Sequence, residues 1–139
     1  HVSVGASFDL LETSSGRVIL TFQDEKERKR RLERRKFYSQ LEATSKISFS
    51  ELKKIEKLFS KNTMKKIEKN KYELVKSLQI KGVTNISVPI FDYTNNAIAA
   101  LTIPFVDRII AKGELSLEQV KKLLVRSAGV LSSEMGYKH

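Results

Sequence analysis

The chain has 139 residues and a mass of 15.9 kDa, the size of a single domain spanning 1–139 with one core. Hydrophobic residues make up 40% and charged ones 30%, which excludes the disordered class, and 26 Lys and Arg against 16 Asp and Glu give a net charge of +10. That charge raises nucleic acid or another anionic surface as a partner. The absence of cysteine excludes disulfides, thiolate zinc sites and cysteine nucleophiles, and the two histidines are the terminal His1 and His139, which weighs against a buried imidazole base or a His-rich metal site. No cofactor is expected. No apolar run approaches the roughly 18 residues that span a bilayer and no signal pattern opens the chain, so a cytoplasmic protein with no membrane partner is expected.

In chain order, Val2–Phe8 alternates apolar with small or polar residues and reads as a half-buried strand at the very start. From Thr13, the residues Val18, Ile19 and Phe22 share one helical face, and Gly16 permits close backbone approach. Between Asp24 and Lys36 only Leu32 is apolar, while Asp24/Arg28, Glu25/Lys29 and Glu27/Arg31 are acid-first pairs four residues apart, the signature of a solvated helix. Ser48 and Glu51 form a capping box ahead of Leu52, Ile55 and Leu58, and Met64 with Ile67 marks another helix ending near residues 69–71.

The second half alternates more regularly. Val83–Phe91 and Ala97–Ile103, joined by the turn-rich 92–96, read as a β-hairpin, with a further strand over Glu73–Ser77 and a turn at Gly82. Ser116 and Gln119 box the start of a last helix whose stripe is Leu117, Val120, Leu124, Ala128, Leu131 and Met135, with Gly136 as its stop. Strand, helices, antiparallel strands and a closing helix place the chain in the α+β class.

Three segments carry a resemblance to the C-terminal effector-binding domain of the isocitrate lyase regulator (IclR) family of transcription regulators. Gly5 with Leu11-Glu12-Thr13-Ser14-Ser15-Gly16-Arg17 resembles the family's Gly followed by His-Ala-Thr-Ala-x-Gly-Lys. Tyr72 with Gly82-Val83-Thr84-Asn85-Ile86-Ser87-Val88-Pro89-Ile90-Phe91-Asp92 resembles its Gly-Tyr and Gly-Val-x-Cys-Ile-Ala-Ala-Pro-Val-Phe-Asp, and Ile98–Ile103 with Glu134-Met135-Gly136-Tyr137 completes the match. The resemblance implies a GAF-like or profilin-like antiparallel sheet flanked by helices, lacking the family's upstream winged helix-turn-helix and first strands. It implies a non-enzymatic sensor that binds a small organic-acid effector, forms a dimer or tetramer, and acts on DNA through a domain absent from this chain.

Matched residue by residue, the family's effector pocket falls on the backbone at Ser14 and Ser15 and on Val75, Asn85, Thr102, Pro104 and Met135. Unpaired amides at a helix start suit a carboxylate, and Asn85 and Thr102 would offer an amide and a hydroxyl if they face one another across the hairpin. Members that bind small hydroxy- or keto-acids tend to have an acidic residue, a Cys and two Ser where this chain has Val75, Asn85, Thr102 and Pro104, so a larger or more apolar effector is expected. Each residue also has a structural reading: Thr13 as a plain N-cap, Asn85 satisfying buried backbone, Thr102 as a β-former, Met135 as core and Pro104 as the end of a strand.

The rival reading is a basic nucleic-acid-binding module using the helix around 24–36, since residues 24–76 hold 18 Lys and Arg against 9 Asp and Glu. Interleaved acids, few aromatics and no helix-turn-helix or RNA-binding signature favour a solvated surface instead. An enzyme is disfavoured, because Asp9, Glu12, Asp92 and Asp107 lack a spacing that brings any two together.

Overall fold

The computed structural model describes residues 4, 8–42, 49–107 and 112–139, with backbone alone at 39–42, 49, 51, 52 and 55. The opening strand read over Val2–Phe8, save Val4 and Phe8, and Ser48 of the capping box expected with Glu51 lie outside the described residues. Among the described residues the elements follow in the order α1 (Ser14–Thr21), α2 (Glu25–Glu42), α3 (Phe49–Lys57), α4 (Lys61–Asn70), β1 (Glu73–Lys76), β2 (Val83–Phe91), β3 (Ala97–Val106) and α5 (Leu117–Glu134). The strands form one antiparallel sheet in the order β1-β2-β3.

The two faces of that sheet are covered differently. On one, α5 packs its Leu124 and Ala128 against Ile86 and Val88, with Leu101, Ile103 and Phe105 around them. Fully burying a Leu, Ile or Val side chain contributes about 1.5–3 kcal/mol, so Leu124, Ile86 and Val88 make this layer a main source of stability. Ser116 caps α5 by accepting from the Gln119 amide while Gln119 Oε1 accepts from the Ser116 amide, the reciprocal box expected from the sequence. The expected stripe drifts at the far end: Ser132, not Leu131, is buried there, its hydroxyl accepting from the Phe91 amide, and Leu131 is 38% exposed.

On the opposite face lies α1, whose Val18 and Leu20 are fully buried, and α4 flanks it through buried Ile67. Gly16 is required here, because a Cβ at this position would stand 1.9 Å from the Leu10 carbonyl oxygen. Helix α2 runs six residues beyond the Lys36 expected from sequence and is held at a few points. Asn96 Oδ1 accepts from the Asp24 amide at 2.6 Å, Arg35 Nε donates to Asp9 Oδ2 at 2.8 Å, and Arg28 reaches the Gln23 carbonyl at 3.1 Å. The acid-first pairs read from sequence are present only in part: Glu27 bonds both Arg30 and Arg31, which pulls its pKa down to about 2, chiefly through the Arg30 hydrogen bond.

Candidate functional site beneath α1

Asp9 builds the entry to α1. Its Oδ1 accepts from the Leu11 and Glu12 amides, turning the chain, and the Thr13 hydroxyl then caps the helix by accepting from the Gly16 amide at 3.1 Å. The amides of Ser14 and Ser15 take no partner among the described residues, and the buried Ser14 hydroxyl has none either. Ser15 sits at Thr102, and the Phe22 carbonyl accepts from Ala97, so the helix runs antiparallel to β3 with its N-terminus toward the Thr102–Pro104 end. The positive end of the α1 dipole therefore faces one end of the sheet.

The hairpin register decides what lies under it. Ala97 pairs with Phe91 but Ala99 with Ile90, so Ile98 is an extra residue in β3 and the ladder beyond it is shifted by one. Asn85 consequently faces Pro104, and Thr102 faces Ser87. The expectation that Asn85 and Thr102 oppose one another is thus corrected: they lie two positions apart on the same face. Pro104 is likewise inside β3 instead of ending it, which an edge strand tolerates because one side of its backbone needs no ladder partner.

A chain of hydroxyls results, with Ser15 Oγ 2.7 Å and Ser87 Oγ 2.8 Å from Thr102 Oγ1, and Ser87 fully buried. Beside it, Glu73 pairs across the ladder with Ser87 and receives a forked ion pair from Arg17, at 3.0 Å from Nε and 2.8 Å from a terminal nitrogen. The remaining Arg17 nitrogen donates to the Leu11 carbonyl, so the guanidinium ties α1, its entry loop and β1 together.

Of the residues singled out from sequence, Ser14, Ser15, Val75, Asn85, Thr102 and Pro104 share this face, with Val75, Asn85 and Pro104 forming one cross-strand row. The Asn85 amide is half-buried and bonds to no described side chain. Met135 stands apart: it caps the C-terminus of α5, the helix on the other face, and is 49% exposed. Ser87, Arg17 and Glu73 were missed. The period-two alternation did place Ser87 on the face of Asn85, but nothing local links Arg17 to a carboxylate 56 residues away.

Three of the four carboxylates considered for catalysis, Glu12 excepted, are engaged otherwise. Asp9 turns the chain, Asp92 accepts from Thr94 within its own turn, and Asp107 accepts from the Thr84 hydroxyl. Among the described residues no cluster of metal-ligating side chains occurs, and no helix is long and apolar enough to cross a membrane. A cavity of about 390 Å³ between α4 and β1 has Val75 in its wall, and one of about 650 Å³ between β3 and the start of α5 includes Pro104. Neither includes Ser14, Ser15, Asn85 or Thr102.

The family model for the bacterial transcriptional regulator IclR C-terminal domain matches residues 1–132, and the chain belongs to that family of regulatory, non-enzymatic domains. No curated protein matches the sequence. Among solved structures, the IclR of Thermotoga maritima is similar at 26% identity over 96% of this chain and 49% of its own, with a TM-score of 0.63. The Agobacterium tumefaciens repressor BlcR is similar at 21% identity over 98% of this chain and 51% of its own, with a TM-score of 0.60. A double mutant of the PobR inducer-binding domain from Acinetobacter, in complex with 3-hydroxybenzoic acid, is similar at 20% identity over 92% of this chain and 67% of its own, with a TM-score of 0.54. The chain spans about half the length of the first two. The shared fold is α+β, an antiparallel sheet flanked by helices.

Proposed function

We propose that this domain senses a small organic acid on the sheet face beneath α1 and, as a dimer or tetramer, passes that signal to a separate winged helix-turn-helix domain that contacts DNA. The observation that carries the reading is a set of polar groups at one end of α1 that have no partner among the described residues: the Ser14 and Ser15 amides, the buried Ser14 hydroxyl and the Asn85 side-chain amide on the facing strand. Buried polar groups are ordinarily paired, and amides at the positive end of a helix dipole suit a carboxylate. Val75 and Pro104 flank Asn85 and give the rest of the ligand an apolar surface. That the PobR inducer-binding domain, solved with an aromatic acid, has a similar fold supports the same class of ligand.

Calorimetric titration of the domain with a panel of organic acids, 3-hydroxybenzoate included, tests the proposal. Replacing Asn85 with Leu leaves a bound oxygen unpaired and weakens the best acid by about 5- to 150-fold while leaving the fold intact. Equal affinity of folded Asn85→Leu and the parent rejects this placement of the ligand.

A further inference from the structure

A further cavity lies elsewhere, a space of about 700 Å³ between α2 and the α3–α4 segment. Its wall is apolar where Leu11, Leu32, Phe59 and Met64 meet. Leu32, the sole apolar side chain of the basic stretch 24–36, is half-buried and lines this cavity. The volume falls within the 300–1,000 Å³ typical of sites for small organic ligands.

The cations of this cavity are not equivalent. Arg35 is nine-tenths buried and neutralised by Asp9 at 2.8 Å. Lys29, Lys36 and Lys61 stand at an exposed rim that also carries Glu25, Glu33 and Glu56, so their charge is locally offset. Arg28 differs: its donors reach only the Gln23 carbonyl and the Met64 thioether, a weak acceptor, and its Nε is shielded from solvent with no partner. A partly buried guanidinium with no carboxylate within ion-pair distance among the described residues leaves a charged donor unmatched, and an unmade charge-assisted hydrogen bond is costly.

We infer that this cavity is a second ligand site, distinct from the face beneath α1, for an amphipathic carboxylate whose chain lies on Leu32, Phe59 and Met64 and whose carboxylate accepts from Arg28. Such a ligand would bridge α2 to α4, which the Arg28–Met64 contact at 3.3 Å already links.

The test is calorimetric titration of the whole domain with dodecanoate below its micelle concentration. A single saturable site is expected in the parent. Arg28→Met, which keeps the stem and removes the charge, weakens it about 10- to 150-fold. Leu32→Glu, a change at a half-exposed position that leaves folding intact, abolishes binding by setting a like charge on the apolar wall. Asn85→Leu leaves dodecanoate affinity unchanged, which separates this site from the effector face. No saturable binding to the parent, equal binding by all three variants, or a loss with Asn85→Leu alone each overturns the inference, the last by assigning the acid to the sheet face. Should Arg28→Met lose its circular dichroism signal, Leu32→Glu decides the matter.

Discussion

Ser15 and Thr102, 87 residues apart in sequence, are joined by a 2.7 Å hydrogen bond that fixes the first turn of α1 to the edge strand β3. Thr102 is the middle member of the chain, since its hydroxyl also meets Ser87 at 2.8 Å. Replacing Thr102 with Val preserves shape but leaves two hydroxyls without their partner, one of them fully buried. The expected loss is about 1–3 kcal/mol of unfolding free energy in urea titration. Thr102→Ser retains the hydroxyl and costs much less, and equal losses in the two variants would show that the hydroxyl does not matter.

Gly16→Ala reverses the usual sign of its substitution. Alanine inside a helix normally stabilises by about 0.5–1 kcal/mol relative to glycine. Here the added methyl meets the Leu10 carbonyl oxygen at 1.9 Å, and the oxygen is backbone that cannot swing aside. Destabilisation of about 1–3 kcal/mol or more is expected, read as a lowered thermal midpoint. A raised midpoint would refute the close approach.

The Arg17–Glu73 pair is buried on both sides, with side chains 6% and 10% exposed. Removing one partner strands the other, so Glu73→Gln and Arg17→Met are each expected to cost about 3–5 kcal/mol. Removing both costs less than the sum of the two, because no uncompensated charge remains. A double-mutant cycle by chemical denaturation measures the difference, and strict additivity would mean that the pair is not coupled.

Glu27 carries the pH prediction. Its pKa in the folded chain lies near 2, below its ordinary 4.5, because protonation would break the hydrogen bonds from Arg30 and Arg31. A carboxylate with a depressed folded pKa supports the fold above its unfolded value and loses that support as pH falls through the folded one. The first turns of α2 are therefore expected to keep their helical signature to about pH 4.5 and weaken between there and about pH 2. Carboxyl carbon shifts in an NMR titration report it, and a Glu27 midpoint near 4.5 would show that the forked pair does not form in solution.

Much of the architecture was legible in the sequence because it is set locally. The Thr13 and Ser116 caps, the Gly82 turn and the two alternating runs rest on interactions within a few residues, and the structure bears each of them out. The spaced pattern from Gly82 to Asp92 carried the family, and the family model matches accordingly. Local pattern reached less far along Pro104, which an edge position permits within β3, and along Leu131, which the helical drift of α5 turns outward.

What only the tertiary structure decided is the composition of the face beneath α1. One extra residue at Ile98 shifts the β2–β3 ladder, and that shift sets Thr102 against Ser87 and Asn85 against Pro104. No local propensity encodes such a bulge, because its effect appears only where two strands meet. Arg17 and Glu73 show the same limit, since a salt bridge across 56 residues exists only once α1 has docked on β1. The sequence determined the elements and the family through short-range patterns of hydrophobicity and capping, and long-range packing decided which side chains share a site.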